Sequence, residues 1–291
     1  MRRRTTWAAA LLLCVAALAA CSEPEPQDPE VAVTGAPGGA PTLIYVAPLT
    51  VSHPFRQTVW PGTGPELVEG GRVLLRYWVE DATDGTMVTE NYSSSPVPQV
   101  MTRADLGDDL YETLSGQRVG ARLLQATPPG EGADEDFPAL TVVDVLPTRA
   151  EGPAVDPRPG LPAVTLGSDG APAITPTGTD PPDTLVTQAL LRGPGRQVEH
   201  GDVVTVQYTG FSWATGESFD STWERGQPAS FSLSDVPAFD EGLAEQTTGS
   251  QVMLVVPPSY DLGATQSEAL TGQTLVFVVD ILASAPEGVV R

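Results

Sequence analysis

Apolar and polar residues alternate along several short segments in the C-terminal half of the chain. DVVTVQYTGF at residues 202–211 and TLVFVVDIL at residues 274–282 both show a period of two. This period places alternate side chains on one face of a β-strand, so each segment predicts a strand with a buried face. QVMLVV, residues 251–256, predicts a third strand that ends at the following Pro-Pro pair. The residues that share the predicted buried faces are Val204, Val206, Tyr208, Leu275, Phe277, Val279 and Ile281.

One short helix is predicted between these strands, over residues 237–246. It begins with a proline, has Asp240 and Glu241 in its first turn, and spaces Phe239 and Leu243 four residues apart on one face. Strands do not alternate regularly with helices along the sequence, which excludes a parallel doubly wound sheet. The pattern therefore predicts an α+β fold in which an antiparallel sheet curls around one short helix.

The same pattern occurs twice along the chain. Gly-Ala-Pro at 39–41 recurs at 170–172, Tyr77 corresponds to Tyr208 at an offset of 131, and LTVVDVL at 140–146 corresponds to VFVVDIL at 276–282. A period near 130 is too long for a solenoid and indicates two tandem copies of one domain. The predicted division is a signal segment 1–20, a disordered tether 21–38, a first domain 39–149, a linker 150–169 and a second domain 170–291. The stretch PTRAEGPAVDPRPG, residues 147–160, is rich in Pro and Gly and is expected to be extended and solvated.

The N-terminus has the pattern of an export signal. Three arginines at positions 2–4 precede a short apolar run, and Leu-Ala-Ala-Cys at 18–21 resembles the bacterial lipobox. The resemblance implies cleavage before Cys21, lipid attachment to its sulfur, and a position on the extracytoplasmic face of the cell membrane. An ordinary secretory signal with an unmodified cysteine is the alternative. Cleavage would also remove Cys14, so no disulfide is expected, and it would change the net charge from −22 to −25.

Composition restricts the function classes further. The chain has 37 acidic residues against 15 basic ones, all of them arginine, which argues against nucleic acid as the partner of the folded part. The two histidines, His53 and His200, belong to no local ligand motif, so neither a metal site nor a cofactor is expected. The acidic run at 134–136 is compatible with loose calcium binding, although such runs in loops are more often simply solvated.

Five motifs in the second copy, taken in order, resemble the FKBP-type peptidyl-prolyl cis/trans isomerases. They are GDVVTVQYTG, GESFDS, FDEGL, VVPPSYDLG and LTGQTLVFVVDIL, and they lie between about residues 190 and 283. The resemblance implies two tandem FKBP-like domains, each a five-stranded antiparallel half-barrel wrapped around a short helix, with a shallow apolar pocket. It also implies a monomer that isomerises prolyl bonds in polypeptide clients.

The resemblance assigns pocket residues in the second domain. Arg225 matches the arginine that braces the aspartate, the backbone N–H of Val236 matches the group that anchors a prolyl ligand, and Phe239 replaces the tryptophan of the pocket floor. The residues matched to catalytic positions are Tyr208, Phe219, Asp220 and Phe277. Those matched to substrate-binding positions are Arg225, Phe231, Val236, Phe239, Leu262 and Leu270.

Departures from the family pattern lower the expected activity. Leu262 stands where the family has a tyrosine that binds ligand carbonyls, with Tyr260 two residues earlier, and Ala229 replaces an aromatic residue. The first copy departs further and is expected to be inert, with Val88, Thr89, Leu110 and Thr141 at the places of Phe219, Asp220, Phe239 and Phe277. Two functions remain open: a weak, membrane-anchored extracytoplasmic isomerase that assists folding, or a non-catalytic lipoprotein whose FKBP-like domains bind clients.

Overall fold

The computed structural model describes residues 28–130 and 136–287. The predicted signal segment and Cys21 lie outside the described residues, as does most of the acidic run at 134–136. No helix within the described ranges is both long and apolar enough to span a membrane.

The first half of the chain forms a hairpin and an antiparallel sheet whose strands differ in length. The hairpin pairs β1 (Ala32–Thr34) with β2 (Thr42–Ile44). Then follow β3 (Phe55–Trp60), β4 (Arg72–Asp81), β5 (Met87–Glu90), β6 (Val97–Val100), α1 (Arg103–Leu114), β7 (Arg122–Thr127) and β8 (Ala139–Leu146). The strand order is β3-β7-β8-β4-β5, with β6 also paired to β4. Gly107, with φ of 73°, interrupts α1.

The second half repeats this arrangement. Its hairpin pairs β9 (Ala163–Leu166) with β10 (Pro172–Thr175). Then follow β11 (Val186–Leu191), β12 (Val203–Ser212), β13 (Ser218–Ser221), α2 (Thr222–Arg225), β14 (Ala229–Ser232), α3 (Pro237–Leu243), β15 (Gln251–Val256), α4 (Leu262–Gln266) and β16 (Leu275–Ala285). The strand order is β11-β15-β16-β12-β13, with β14 also paired to β12. One-turn 3₁₀ helices cover Leu233–Asp235, Pro258–Tyr260 and Glu268–Leu270.

The structure confirms the predicted fold class. Each half is an antiparallel sheet with five strand positions. One edge position is split into two short strands that both pair with the long strand beside them, β4 in the first half and β12 in the second. The split in the second half contains α2. The three strands predicted from alternation correspond to β12, β15 and β16, and their alternate apolar residues lie in one core with Phe239 and Leu243 of α3. A proline at the first turn of α3 fits a position where its missing N–H needs no partner.

Both hairpins pack on the outer face of their sheet, opposite the helix. Val164 and Ile174 contact a cluster that contains Phe211 and Trp213, and in the first half Leu43 contacts a cluster that contains Leu140. Residues 32–34, assigned to a disordered tether, are therefore ordered in β1, and residues 163–166, assigned to a linker, form β9. These two expectations are wrong because each hairpin buries apolar side chains against a sheet.

The start of the linker is also packed rather than solvated. Ala150 is buried, and its N–H donates to Oδ2 of Asp280 at 2.7 Å. The N–H of Glu151 donates to the carbonyl of Gly249 at 3.0 Å, and the N–H of Val155 donates to the carbonyl of Leu190 at 2.9 Å. The expectation of a solvated linker is wrong for this stretch because its backbone groups bond to the second sheet.

Candidate functional site

Five aromatic rings meet between the second sheet and α3. The ring of Phe277 lies 5.1 Å from Phe239, 5.7 Å from Phe219 and 6.1 Å from Tyr208, measured between centroids. Phe231 lies 5.6 Å from Phe239. Most of these pairs are edge-to-face, an arrangement that the ring quadrupoles favour. The rings come from four strands and one helix, so the cluster forms only when the sheet and α3 pack together.

A β-bulge explains why two successive residues serve the same site. Gly210 pairs with Asp220 and Phe211 pairs with Ser218, which leaves Phe219 without a partner on β12. Successive side chains of a regular strand point to opposite faces, whereas a bulge changes the direction of the extra residue. Phe219 can therefore pack on Phe277 while Asp220 reaches Tyr208.

Gly210 makes room for two of the rings, and its importance was missed in the sequence. A Cβ built on Gly210 would lie 2.6 Å from Cζ of Phe219 and 2.9 Å from Cε1 of Phe277. Any side chain at position 210 would displace these rings. The signal was available in the repeat, since the corresponding residue of the first half is Val79 and the corresponding rings are absent there.

The polar part of the site is a hydrogen-bonded trio at the edge of the rings. The hydroxyl of Tyr208 donates to Oδ2 of Asp220, and Nη1 of Arg225 donates to Oδ1 of the same carboxylate. Nη2 of Arg225 lies 3.3 Å from the hydroxyl oxygen of Tyr208. Burial raises the pKa of Tyr208, and the hydrogen bond to Asp220 raises it further. The hydrogen bond to Tyr208, followed by that to Asp220, raises the pKa of Arg225.

Thr222 fixes the backbone of Tyr208 and was also missed. The N–H of Tyr208 donates to Oγ1 of Thr222 at 2.8 Å, and this hydroxyl donates back to the carbonyl of Tyr208 at 3.2 Å. Asn91 makes the corresponding contact in the first half, where its Oδ1 accepts from the N–H of Tyr77 at 2.8 Å. Thr222 and Asn91 occupy corresponding positions at the repeat offset of 131, so an alignment of the two halves could have identified this pair of polar residues.

All of the predicted pocket residues come together in the structure. Phe239, Phe277 and Leu270 belong to the buried core, and Tyr208, Phe219, Phe231, Val236 and Leu262 pack against it. Asp220 and Arg225 lie at the rim and are more exposed. The hydroxyl of Tyr260 donates to Glu241 at 2.6 Å, so it does not take the place of the hydroxyl missing at Leu262.

The backbone N–H of Val236, which the resemblance assigns to ligand binding, already donates a hydrogen bond within the protein. It donates to the carbonyl of Leu233 at 3.0 Å within a one-turn 3₁₀ helix. A prolyl ligand would have to share or displace this bond, because an N–H group supplies a single proton. The group expected to anchor a ligand is therefore already hydrogen-bonded.

Other features of the described chain lie apart from this site. A cavity of about 580 Å³ lies against Trp213 and Pro257, and none of the predicted pocket residues lines it. Trp213 belongs to the outer-face cluster, so this cavity lies away from the aromatic rings. Within residues 28–130 and 136–287, no group of three or more His, Cys, Asp or Glu side chains is arranged to hold a metal ion.

Comparison with known proteins identifies the family to which the second half is similar. The sequence model of the FKBP-type peptidyl-prolyl cis-trans isomerase family matches residues 195–282, all within the second half. The chain is 35% identical over 111 residues to a probable FK506-binding protein of Corynebacterium glutamicum, a match that covers 38% of this chain and 93% of that protein. It is 32% identical over 118 residues to an FK506-binding protein of Streptomyces anulatus, covering 38% and 95%.

A solved structure is also similar to part of the chain. The crystal structure of FkpA from Escherichia coli shares 31% identity and covers 43% of this chain and 53% of that one, with a TM-score of 0.33. On the sequence matches, the chain belongs to the family of FKBP-type peptidyl-prolyl cis-trans isomerases.

Proposed function

We propose that the protein is an extracytoplasmic prolyl isomerase, fixed to the membrane by lipid on Cys21, which assists the folding of secreted or envelope proteins. Its pocket would be the space lined by the aromatic cluster of the second half. The observation that carries this proposal is the meeting of five rings with a fully hydrogen-bonded carboxylate at their edge.

Such a pocket can lower the barrier without a nucleophile. Rotation about a peptide bond costs about 18–20 kcal/mol because resonance is lost at the perpendicular geometry. The twisted amide is less dipolar than the planar one, so it loses less when water is removed. Apolar rings that exclude water therefore favour the transition state over the ground state.

The polar trio would orient the substrate beside the rings. A tyrosine hydroxyl ordinarily keeps its proton at neutral pH. The raised pKa of Tyr208 makes loss of that proton still less favourable, so the hydroxyl donates to Asp220. Both carboxylate oxygens thus accept hydrogen bonds, which fixes a negative charge at the pocket rim. In this proposal that charge faces the carbonyl carbon of the bound prolyl bond.

Three features support weak rather than strong catalysis. Leu262 offers no hydroxyl to a ligand carbonyl, Ala229 leaves one wall without a ring, and the N–H of Val236 is already engaged. Each reduces the binding energy that can be used in the transition state. None of them removes the ring cluster or the trio.

The decisive experiment measures the cis-to-trans exchange of a Xaa-Pro peptide with the chain lacking residues 1–20 and carrying Cys21→Ser. Uncatalysed exchange takes tens to hundreds of seconds, so weak catalysis is measurable. We expect acceleration, and we expect Phe277→Thr to lower kcat/KM about tenfold or more. The matched control is Thr141→Ala at the corresponding position of the first half, which should leave kcat/KM unchanged. An unaccelerated exchange with the parent protein would instead favour a non-catalytic, client-binding lipoprotein.

The anchor is tested separately. Cells fed a labelled fatty acid should incorporate it into the wild-type protein, and Cys21→Ser should move the protein from the membrane fraction to the medium. A freely soluble, unlabelled wild-type protein would contradict the proposed anchor while leaving the proposed chemistry intact.

A further inference from the structure

The segment that carries Arg225 cannot hold its own shape. Helix α2 comprises only Thr222–Arg225, a single turn. Helices this short are not stable by themselves, because nucleation fixes several residues for very few hydrogen bonds. The position of Arg225, and with it two of the three hydrogen bonds of the trio, therefore depends on what packs around this turn.

The first half of the chain supplies a contact at the end of this turn. Gly226 caps α2 in the left-handed conformation, with φ of 80° and ψ of 13°. A Cβ built on Gly226 would lie 2.9 Å from Cζ and 3.0 Å from Nη1 of Arg72. The guanidinium of Arg72, at the start of β4, thus lies directly against the residue that follows Arg225 in sequence. At the repeat position of Arg72 the second half has Val203, so this cation is particular to the first half.

The other side of the same turn also packs on residues outside the second sheet. A Cβ built on Gly170, next to hairpin strand β10, would lie 3.1 Å from Cη2 of Trp223 and 3.4 Å from Cδ of Arg149. Trp223 therefore lies against the hairpin segment, close to the chain that leaves the first half. Helix α2 therefore contacts Asp220 through Arg225, and it also contacts parts of the chain outside the second sheet through Trp223 and Gly226.

We propose that Arg72 of the first half is a positioning residue for the site of the second half. It acts through Gly226 by limiting the movement of α2, so that Arg225 stays on Asp220 and Tyr208. This role presupposes the proposed isomerase function for its kinetic part. It gives the degenerate first half a task that needs no pocket of its own.

The physical consequence of losing the contact is a small displacement. Without Arg72 the turn has one less neighbour, and Arg225 can leave the carboxylate for water because its side chain is 46% exposed. The hydroxyl of Tyr208 bonds to the same carboxylate, and the centroid of its ring lies 6.1 Å from that of Phe277. The ring would therefore lose its fixed orientation. Misplacement of a site by a fraction of an ångström lowers the rate without unfolding the protein.

The test uses the full chain without residues 1–20, with Cys21→Ser, and compares Arg72→Ala with Arg103→Ala. Arg103 is an exposed arginine of the first half whose ion-pair partners, Asp108 and Glu112, lie in α1. We expect Arg72→Ala to lower kcat/KM about threefold to tenfold and to shift the Nε–H resonance of Arg225 and the indole resonance of Trp223. Arg103→Ala should change none of these.

Two outcomes would overturn this role. Unchanged Arg225 and Trp223 resonances in Arg72→Ala, whatever the rate, would show that the contact does not position the turn. Shifted resonances with an unchanged kcat/KM in an active protein would show that the position of the turn does not matter to the site. If the parent chain shows no isomerase activity, the proposed function fails, whereas the resonances still decide whether Arg72 positions Arg225.

Discussion

The two halves of the chain share a strand order but differ in what fills the space between sheet and helix. In the second half this space holds Phe277 in contact with both Phe219 and Phe239. The first half has the same bulge, since Val79 pairs with Thr89 and Glu80 with Met87, yet its extra residue is Val88, which is exposed. The same backbone therefore carries an aromatic cluster in one half and an exposed valine at the corresponding bulge in the other.

Polar side chains occupy part of the corresponding inner region of the first half. Gln125 stands at the repeat position of Leu254, and it accepts a hydrogen bond at 2.6 Å from Thr113 of α1. Arg56 donates in turn to Thr113 at 3.1 Å and to Asp109 at 3.0 Å. The amide of Gln125 and the hydroxyl of Thr113 make this region polar. The proposed mechanism requires an apolar region that excludes water. Because the two halves share a frame, the proposed activity would depend on a few inward positions.

On the outer faces of the sheets, the first half has the more strongly charged site. Arg122 and Asp144 form a fully buried ion pair in the first half, and Arg122 also donates to the carbonyl of Gly39 at 2.7 Å. Gln251 and Asp280 stand at the corresponding places in the second half, 2.8 Å apart, and Asp280 also binds Ala150. Burial raises the pKa of Asp280 more than the hydrogen bonds from Ala150 and Gln251 and the charge of Arg149 lower it. In each half this site therefore binds the chain that precedes the sheet: Arg122, the partner of Asp144, binds Gly39, and Asp280 binds Ala150.

The largest expected effect comes from breaking these two outer-face sites. Asp144→Ala should destabilise the first half by about 3–5 kcal/mol, because it leaves the Arg122 charge buried without a partner. Asp280→Ala should cost about 1–3 kcal/mol, because it leaves only neutral donors unpaired. Hydrogen exchange of β8 and β16 in each variant measures the two losses. Equal losses would show that the arginine adds nothing to the first-half site.

A smaller effect is expected at the position that accommodates the rings. Gly210→Ala should destabilise the second half by about 1–3 kcal/mol through overpacking and should slow isomerisation, because Phe219 and Phe277 must move. Gly39→Ala is the matched control, since its nearest atom to an added Cβ is 3.5 Å away. Urea unfolding and the exchange assay test both variants. Full activity in Gly210→Ala would show that the rings tolerate the methyl group.

The smallest effect concerns one loop–helix contact that the halves make with different chemistry. The second half pairs Nδ1 of His200 with Asp240 at 2.9 Å, and the first half pairs Tyr111 with Glu69 at 2.6 Å at the corresponding positions. The hydrogen bond and charge of Asp240 raise the pKa of His200. A raised histidine pKa stabilises the fold fully below the unfolded value of about 6.5, and the contribution disappears as pH rises through the folded value.

We therefore expect the second half to lose a little stability between about pH 6 and pH 8, and His200→Gln to abolish that slope. The first-half contact should be insensitive, because neither a carboxylate nor a phenol ordinarily titrates in this range. Hydrogen exchange at the two pH values provides the measurement. A slope that persists in His200→Gln would assign it to another group.

Much of the fold and of the site was predictable because its signals are local. Alternation identified β12, β15 and β16, and Pro237 with Phe239 and Leu243 identified α3. The hairpins were not predicted, since strands of three or four residues at the outer face carry little periodic signal. Nor could the sequence reveal that the N–H of Val236 is engaged, because this depends on a one-turn helix whose backbone path has no side-chain signature.

By itself the sequence predicted three strands and the helix of the second half, and its family resemblance predicted which side chains would meet between them. Side-chain alternation and residue type act over a few neighbouring positions, so they can be read along the chain. Only the tertiary structure decided that Ala150 bonds to Asp280, 130 positions away, and that Arg72 lies against Gly226. Such contacts depend on how the two sheets and the chain between them pack in space, and no local pattern records that packing.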